Sequence, residues 1–361
     1  MNLNKDFIDS LIRPEVLAMN AYKVADASGF IKLDAMENPY HWPEDLTQQW
    51  LETIRSCPIN RYPDPEATEL AAKLKQTHQV PEHCQLLLGN GSDEIIQILL
   101  MALQPTATVL APEPGFVMYR QICQSLGLNY QGVDLLNDSF DLDMPRIRRL
   151  IEQQQPAIIF LAYPNNPTGN LFDADAIREI IKLAPGLVVV DEAYAPFADA
   201  SFMNELNNYD NLLIMRTVSK LGLAGLRLGY IAGHPEIIEQ LNKIRLPYNI
   251  NVLTQSSVLF ALEHNDIFLK QSLAICNNRE QMSNDLNSLA QLQCFPSRAN
   301  FILFKTLKHD ANKVFQILKQ QKVLIKNLSP QGRTLSNCLR VTIGKTNENL
   351  AFMTALKKSL D

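Results

Sequence analysis

The sequence predicts an α/β fold: a largely parallel sheet covered by helices, followed by a smaller α+β domain. Three observations carry this. The runs "TVLAP", "AIIFLAYP", "LVVVDEAY" and "NLLIMRT" are short, bounded by turn signals and separated by helix-length stretches, the pattern of parallel strands buried on both faces. Several of these runs end in polar residues, as expected where a ligand sits at the carboxyl edge of such a sheet. After about residue 255 the pattern changes to a long helical stretch, then to "NFILFK", "VFQILKQQ", "VLIKNL" and "CLRVTIG".

Taken in order, residues 1–30 read as an arm with a short amphipathic stretch around "FIDSLI". "IKLDAMENPYHWP" is a strand-like piece ending in turn signals. "DPEATELAAKLKQTH" opens with Asp64 as a candidate N-cap and Pro65 at the first helical position. "QLLLGNGSDEIIQILLMAL" reads as strand, glycine turn and helix. The expected division is an N-terminal arm at 1–30 packing with the small domain, a large α/β domain at 31–255 and a small α+β domain at 256–361.

A chain of 361 residues can bury a large core. Hydrophobic content of 46% and charged content of 20% are those of an ordinary soluble globular protein. A net charge of −5 without long runs of one sign disfavours nucleic acid as a partner. No secretory leader is expected from "MNLNKDFIDSLIRPEV", and no window approaches a membrane span. The six scattered cysteines never form C-x-x-C and suit reduced thiols in the cytoplasm. The histidines lack ligand spacing, so no metal site is expected.

Four stretches carry chemistry. In "LLLGNGSDEII", Gly89 and Gly91 permit tight backbone geometry, and Ser92 or Asp93 can cap the next helix. The helix start is a candidate phosphate seat, although, taken alone, a capped strand–helix turn explains it better. In "YPNNPTGN", Asn166 precedes a proline, is held extended and can present its amide to a ligand oxygen. In "VVVDEAYAPF", Asp191 ends a buried run and needs a cation or several donors to stay ionised; Tyr194 can face the same cavity. In "RTVSKLGLAGLRLGY", Lys220 follows another buried strand. A lysine in an apolar setting beside Arg227 has a lowered pKa and becomes an amine nucleophile, and Ser219 adds a hydroxyl. The bland alternative is a strand packed on a glycine-rich turn. Together these are the parts that hold pyridoxal 5'-phosphate. Lys220 would bond the aldehyde carbon, Asp191 would keep the pyridine nitrogen protonated, and Asn166 and Tyr194 would bind the phenolic oxygen. Ser92, Ser219 and Arg227 would hold the phosphate.

The order "GNGSDE", "PNNPTG", "DEAY", "SK…R" resembles the fold-type I pyridoxal-phosphate-dependent aminotransferases over nearly the whole chain. Within that family, "KLDAMENPY", "NRYPDP", "TVSKLGLAGLRLGY", "SRANFIL" and "CLRVTIG" are most similar to the histidinol-phosphate branch. The resemblance implies a mostly parallel seven-stranded sheet, with Lys220, Asp191 and Tyr194 as catalytic residues. It adds Gly91, Asp93 and Thr217 to the cofactor set and implies that Phe116 stacks on the cofactor ring. Tyr62 would reach the neighbouring subunit's cofactor phosphate, so the implied protein is a homodimer with shared active sites. Arg340 would bind a substrate anion, with Tyr22, Asn300 and Lys326 lining the pocket. The implied reaction is transamination of imidazole-acetol phosphate with glutamate, yielding histidinol phosphate and 2-oxoglutarate, a step of histidine biosynthesis. An aromatic amino-acid aminotransferase, a threonine-phosphate decarboxylase and a non-catalytic pyridoxal-phosphate-binding protein are the rival readings. Two departures stand out. Arg227 lies seven residues after Lys220, where many members place it eight after, a loss that Gly222 and Gly225 are expected to absorb. Lys326 replaces the branch's usual arginine, exchanging a bidentate fork for a point charge.

Overall fold

Unbroken aliphatic runs form the central strands, because helices on both faces of a sheet bury every side chain. Ile158–Ala162 and Gly229–Gly233 are buried at every position, and Leu187–Asp191 at all but its first. In this computed structural model, which describes residues 5–21 and 25–360, these runs lie in one seven-stranded sheet. Its order is Gln85–Gly89, Gly229–Gly233, Leu212–Thr217, Leu187–Asp191, Ile158–Ala162, Thr108–Glu113, Asn129–Asp134. The last five pair in parallel, and Gly229–Gly233 runs antiparallel to both its neighbours. From Thr108–Glu113 the chain next fills the position on one side, then returns to fill the other. The strand order reverses there, and a crevice opens beyond the carboxyl ends, where α/β sheets take their ligands.

The C-terminal region builds a four-stranded antiparallel sheet in the order Lys326–Asn327, Cys338–Thr342, Phe301–Thr306, Leu292–Cys294. Phe301, Phe304 and Leu339 pack there with Phe352 and Leu356 of the last helix in a separate core. Among the described residues, no helix is long and apolar enough to cross a membrane.

Three expectations about local organisation need correction. Residues 31–32 do not open the large layer: Ile31–Lys32 pairs in parallel with Val323–Leu324, and Leu33 joins the second core. In the described part of the arm, Arg13 donates to the Ser125 carbonyl at the end of a large-layer helix. A boundary after 255 would cut the helix Val252–Glu263. That helix belongs with the large layer, where Trp50 Nε1 donates to Ser257 Oγ and Val258, Ala261 and Leu262 enter the first core. The helix expected from Pro65 starts instead at Thr68, because both Asp64 carboxylate oxygens are engaged one turn earlier. They accept the N–H groups of Glu66 and Thr68, with Ala67 in the left-handed region at φ 46°.

Candidate active site

The carboxyl ends of neighbouring strands and one helix start bring most of the singled-out residues into one cavity. Ser92, Asp93, Phe116, Asn166, Asp191, Tyr194, Thr217, Ser219, Lys220 and Arg227 all line it, together with Met36. The cavity wall begins at the strand Gln85–Gly89 and the helix Ser92–Met101. Neither Ser92 nor Asp93 caps that helix as expected. Gly91 is the cap residue and carries no side chain, while Glu94 reaches back to the Asn90 N–H at 2.6 Å. The first N–H groups therefore lack a side-chain cap and point their positive end at the cavity.

Asp191 ends its strand at 3% exposure. Its Oδ1 accepts the Ala193 N–H at 3.0 Å and its Oδ2 accepts the Tyr119 hydroxyl at 2.6 Å. Burial raises its pKa to about 6, and the two donors oppose that rise. Asn166 donates from Nδ2 to the Tyr194 hydroxyl at 3.0 Å, and Tyr194 in turn lies 3.3 Å from Met36 Sδ. Burial also pushes the Tyr194 phenol up, so it stays protonated.

Lys220 ends a short 3-10 turn whose first N–H groups are served by Thr217, its Oγ1 accepting from Ser219 N at 3.1 Å. The amine sits 5.8 Å from the centre of the Tyr194 ring. Burial first and the Arg340 charge second bring its pKa down to about 8, with Glu37 opposing both. Only the neutral amine attacks a carbonyl. Capture of an aldehyde in this cavity should therefore accelerate about tenfold per pH unit up to about pH 8 and level off above it, as read by stopped-flow absorbance.

The shortened loop still delivers Arg227. Gly222 adopts φ 124° and Arg227 itself φ 50°, tightening the turn, whereas nothing crowds Gly225. The guanidinium crosses the Gly91 turn so closely that a Cβ there would meet Nη2 at 2.6 Å, and Nη2 lies 3.6 Å from Asp93 Oδ2.

Arg340 touches the cavity wall from behind Asn166: its Nη1 donates to Asn166 Oδ1 at 2.6 Å and Nη2 donates to the Asp34 carbonyl at 3.2 Å. Its guanidinium lies 5.1 Å from the centre of the Phe301 ring. Lys326 is the register partner of Arg340 on the adjacent antiparallel strand, which puts both side chains on one face. Asn300 is fully buried and donates to the Met36 carbonyl at 2.9 Å. Tyr62 is not brought into this cavity: it is 80% exposed and stacks on Tyr248 with ring centres 4.5 Å apart. Tyr22 lies outside the described residues.

Sequence reading missed Tyr119, Met36 and the pair Glu192–Arg216. Glu192 is fully buried, and its Oε2 accepts from Arg216 Nε and Nη2 at 2.9 and 2.7 Å. That pair ties the end of the Asp191 strand to the end of the strand leading to Lys220. The available signal was strand alternation, which turns Glu192 away from the face that Asp191 occupies.

A family model described as aminotransferase class I and II matches residues 28–355. The chain is 53% identical over 356 residues to histidinol-phosphate aminotransferase 2 of Nitrosococcus oceani, covering 98% of this chain and 99% of that one. It is 48% identical over 364 residues to the protein of the same name from Cupriavidus pinatubonensis, covering 99% of each. The fold is similar to the crystal structure of histidinol-phosphate aminotransferase from Sinorhizobium meliloti in complex with pyridoxal-5'-phosphate. The TM-score is 0.85, with 97% of this chain and 98% of that one covered at 20% identity.

Proposed function

Because the chain belongs to the aminotransferase class I and II family, we propose that it moves an amino group between histidinol phosphate and 2-oxoglutarate. The observation that carries this reading is the single cavity in which Lys220, Asp191, Asn166, Tyr194 and Arg227 meet. The names of relatives sharing about half its residues support the substrate.

The cavity's donor set fits pyridoxal phosphate. An uncapped helix start at Ser92 and Asp93, the Ser219 hydroxyl and the Arg227 guanidinium suit a phosphate dianion. Gly91 leaves room that any Cβ would take from Arg227. Phe116 offers an aromatic face, Asp191 an acceptor for a ring N–H, and Asn166 and Tyr194 donors for a ring oxygen. When bound, the cofactor supplies the electron sink for the pair left as the substrate's Cα–H bond breaks.

Lys220 takes the Cα proton, since its lowered pKa makes the neutral amine available near physiological pH. Asp191 holds a proton at the ring nitrogen and stabilises the developing charge through a preorganised field. Arg340 binds the substrate anion. Histidinol phosphate has no α-carboxylate and presents a phosphate, whereas glutamate presents carboxylates, so Arg340 and Lys326 on their shared face receive both.

The working form proposed is a cytoplasmic homodimer in which Tyr62 of the partner subunit completes the phosphate seat. In support, Tyr62 stacks on Tyr248, and the two segments expose further apolar groups close in sequence: Ile59 at 77%, before Tyr62, and Leu246 at 73%, before Tyr248. The test of function is turnover of histidinol phosphate, phenylalanine, tyrosine and threonine phosphate with 2-oxoglutarate. The expected result is a kcat/KM for histidinol phosphate at least about tenfold above the others, the discrimination that one well-made anion contact supplies. Preference for an aromatic amino acid, or carbon dioxide release from threonine phosphate, overturns it.

A further inference from the structure

Asp191 is served by two neutral donors and, among the described residues, by no ion pair. One donor comes from its own chain turn at Ala193. The other, Tyr119, comes from the helix Val117–Ser125, on a different element. We propose that Tyr119 is a positioning residue of the reaction, its phenol fixing the orientation and charge of the Asp191 carboxylate toward the cofactor's ring nitrogen. The inference rests on the reading of the cavity as a pyridoxal phosphate site.

Two donors on two oxygens fix the carboxylate plane. Each carboxylate oxygen has two acceptor sites, so Oδ2 keeps one free after accepting the Tyr119 hydroxyl at 2.6 Å. A cation in Tyr119's place would neutralise the carboxylate and compete with a protonated ring nitrogen. A phenol leaves the negative charge available. Deep burial and the adjacent carboxylate raise the Tyr119 pKa well above its ordinary value, so the group remains a donor across the working range.

The phenol is itself held. Tyr119 is 2% exposed and stacks on Phe160 with centroids 4.5 Å apart and planes 10° from parallel. Phe160 belongs to the fully buried strand Ile158–Ala162, beside the Asp191 strand. Phe116 meets Tyr119 edge-on at 5.4 Å and 85°. Phe116 precedes the helix and Tyr119 is its third residue, so the spacing of three puts both on one face. One helical turn thus supplies the ring that faces the cofactor and the hydroxyl that sets its counter-ion.

The experiment compares wild type, Tyr119→Phe, Asp191→Asn and the double variant, first as apoproteins titrated with pyridoxal phosphate, then in turnover with glutamate as amino donor and imidazole-acetol phosphate as acceptor. Phenylalanine keeps the ring contacts with Phe160 and Phe116, so the apoprotein should melt near the wild-type temperature. The expected result for Tyr119→Phe is a cofactor Kd about tenfold higher, the scale of one hydrogen bond to a charged group. Its kcat should fall about tenfold with the KM for glutamate unchanged. In the Asp191→Asn background, removing the hydroxyl should change Kd less than about twofold, because the two groups act as a unit. An unchanged Kd and kcat in Tyr119→Phe, or a loss that adds fully to that of Asp191→Asn, overturns the inference while leaving the site reading intact. Wild type that takes up no pyridoxal phosphate overturns both.

Discussion

Lys220→Ala should lower transamination roughly 10⁴-fold, the upper end of what a positioned acid–base group contributes, while the protein still folds and retains pyridoxal phosphate non-covalently. Lys220 is the one amine lining the cavity among the described residues. Its nearest catalytic-type neighbour, Tyr194, is a phenol that burial holds protonated and that already lies beside Asn166 and Met36. The two carboxylates that also line the cavity are engaged elsewhere, Asp93 with Arg227 and Asp191 with Tyr119 and the Ala193 N–H. The Ser219 hydroxyl and the Arg227 guanidinium remain in the variant, so the phosphate seat survives and equilibrium dialysis should still find cofactor bound. The protein should lose the absorbance that borohydride bleaches in the wild type. Single-turnover absorbance with glutamate measures the chemical step. A rate within a hundredfold of wild type would move the proton to another residue and sink the assignment.

Much of this site was legible because its residues sit at the ends of strands, where the local sequence pattern shows. Apolar runs ending in Asp191 and in Thr217–Lys220 announce both the strands and the polar residues at their tips. Asn166, held between prolines, is legible for the same reason. Contacts between sequence-distant elements were not legible. Tyr119 reads as an ordinary buried helical aromatic until the fold lays its hydroxyl 2.6 Å from a carboxylate 72 residues away. Glu192 has no visible partner in its own stretch, yet it is buried against Arg216, 24 residues away. The expected side-chain cap at Ser92 or Asp93 failed because Gly91 takes the cap position, leaving Ser92 and Asp93 as the first two helical residues. The expected boundary after 255 failed because a helix carries no local mark of which core its apolar face will join; Val258 and Leu262 chose the first. Pairing of Ile31–Lys32 with Val323–Leu324 spans nearly the whole chain and leaves no signature in either segment.

Arg340→Ala should cost about 10²–10³ in kcat/KM for glutamate and for histidinol phosphate alike, the worth of two hydrogen bonds to a charged group. Arg340 is 6% exposed and is held on three sides, by Asn166 Oδ1, the Asp34 carbonyl and the Phe301 ring. A guanidinium fixed this way meets an anion with little further loss of side-chain freedom. It also acts on Lys220, whose pKa its charge lowers. Removing that charge raises Lys220, so the pH at which pyridoxal phosphate capture levels off should move up from about 8. Arg340→Lys separates the two effects: it retains the charge and should keep the pH profile, but it lacks the fork and should not restore kcat/KM. If Arg340→Ala damages glutamate turnover and spares histidinol phosphate, Lys326 alone receives the phosphate, and the shared anion pocket is wrong. If the capture profile stays at about pH 8 in Arg340→Ala, burial alone sets the Lys220 amine, and Arg340 binds substrate without tuning the base.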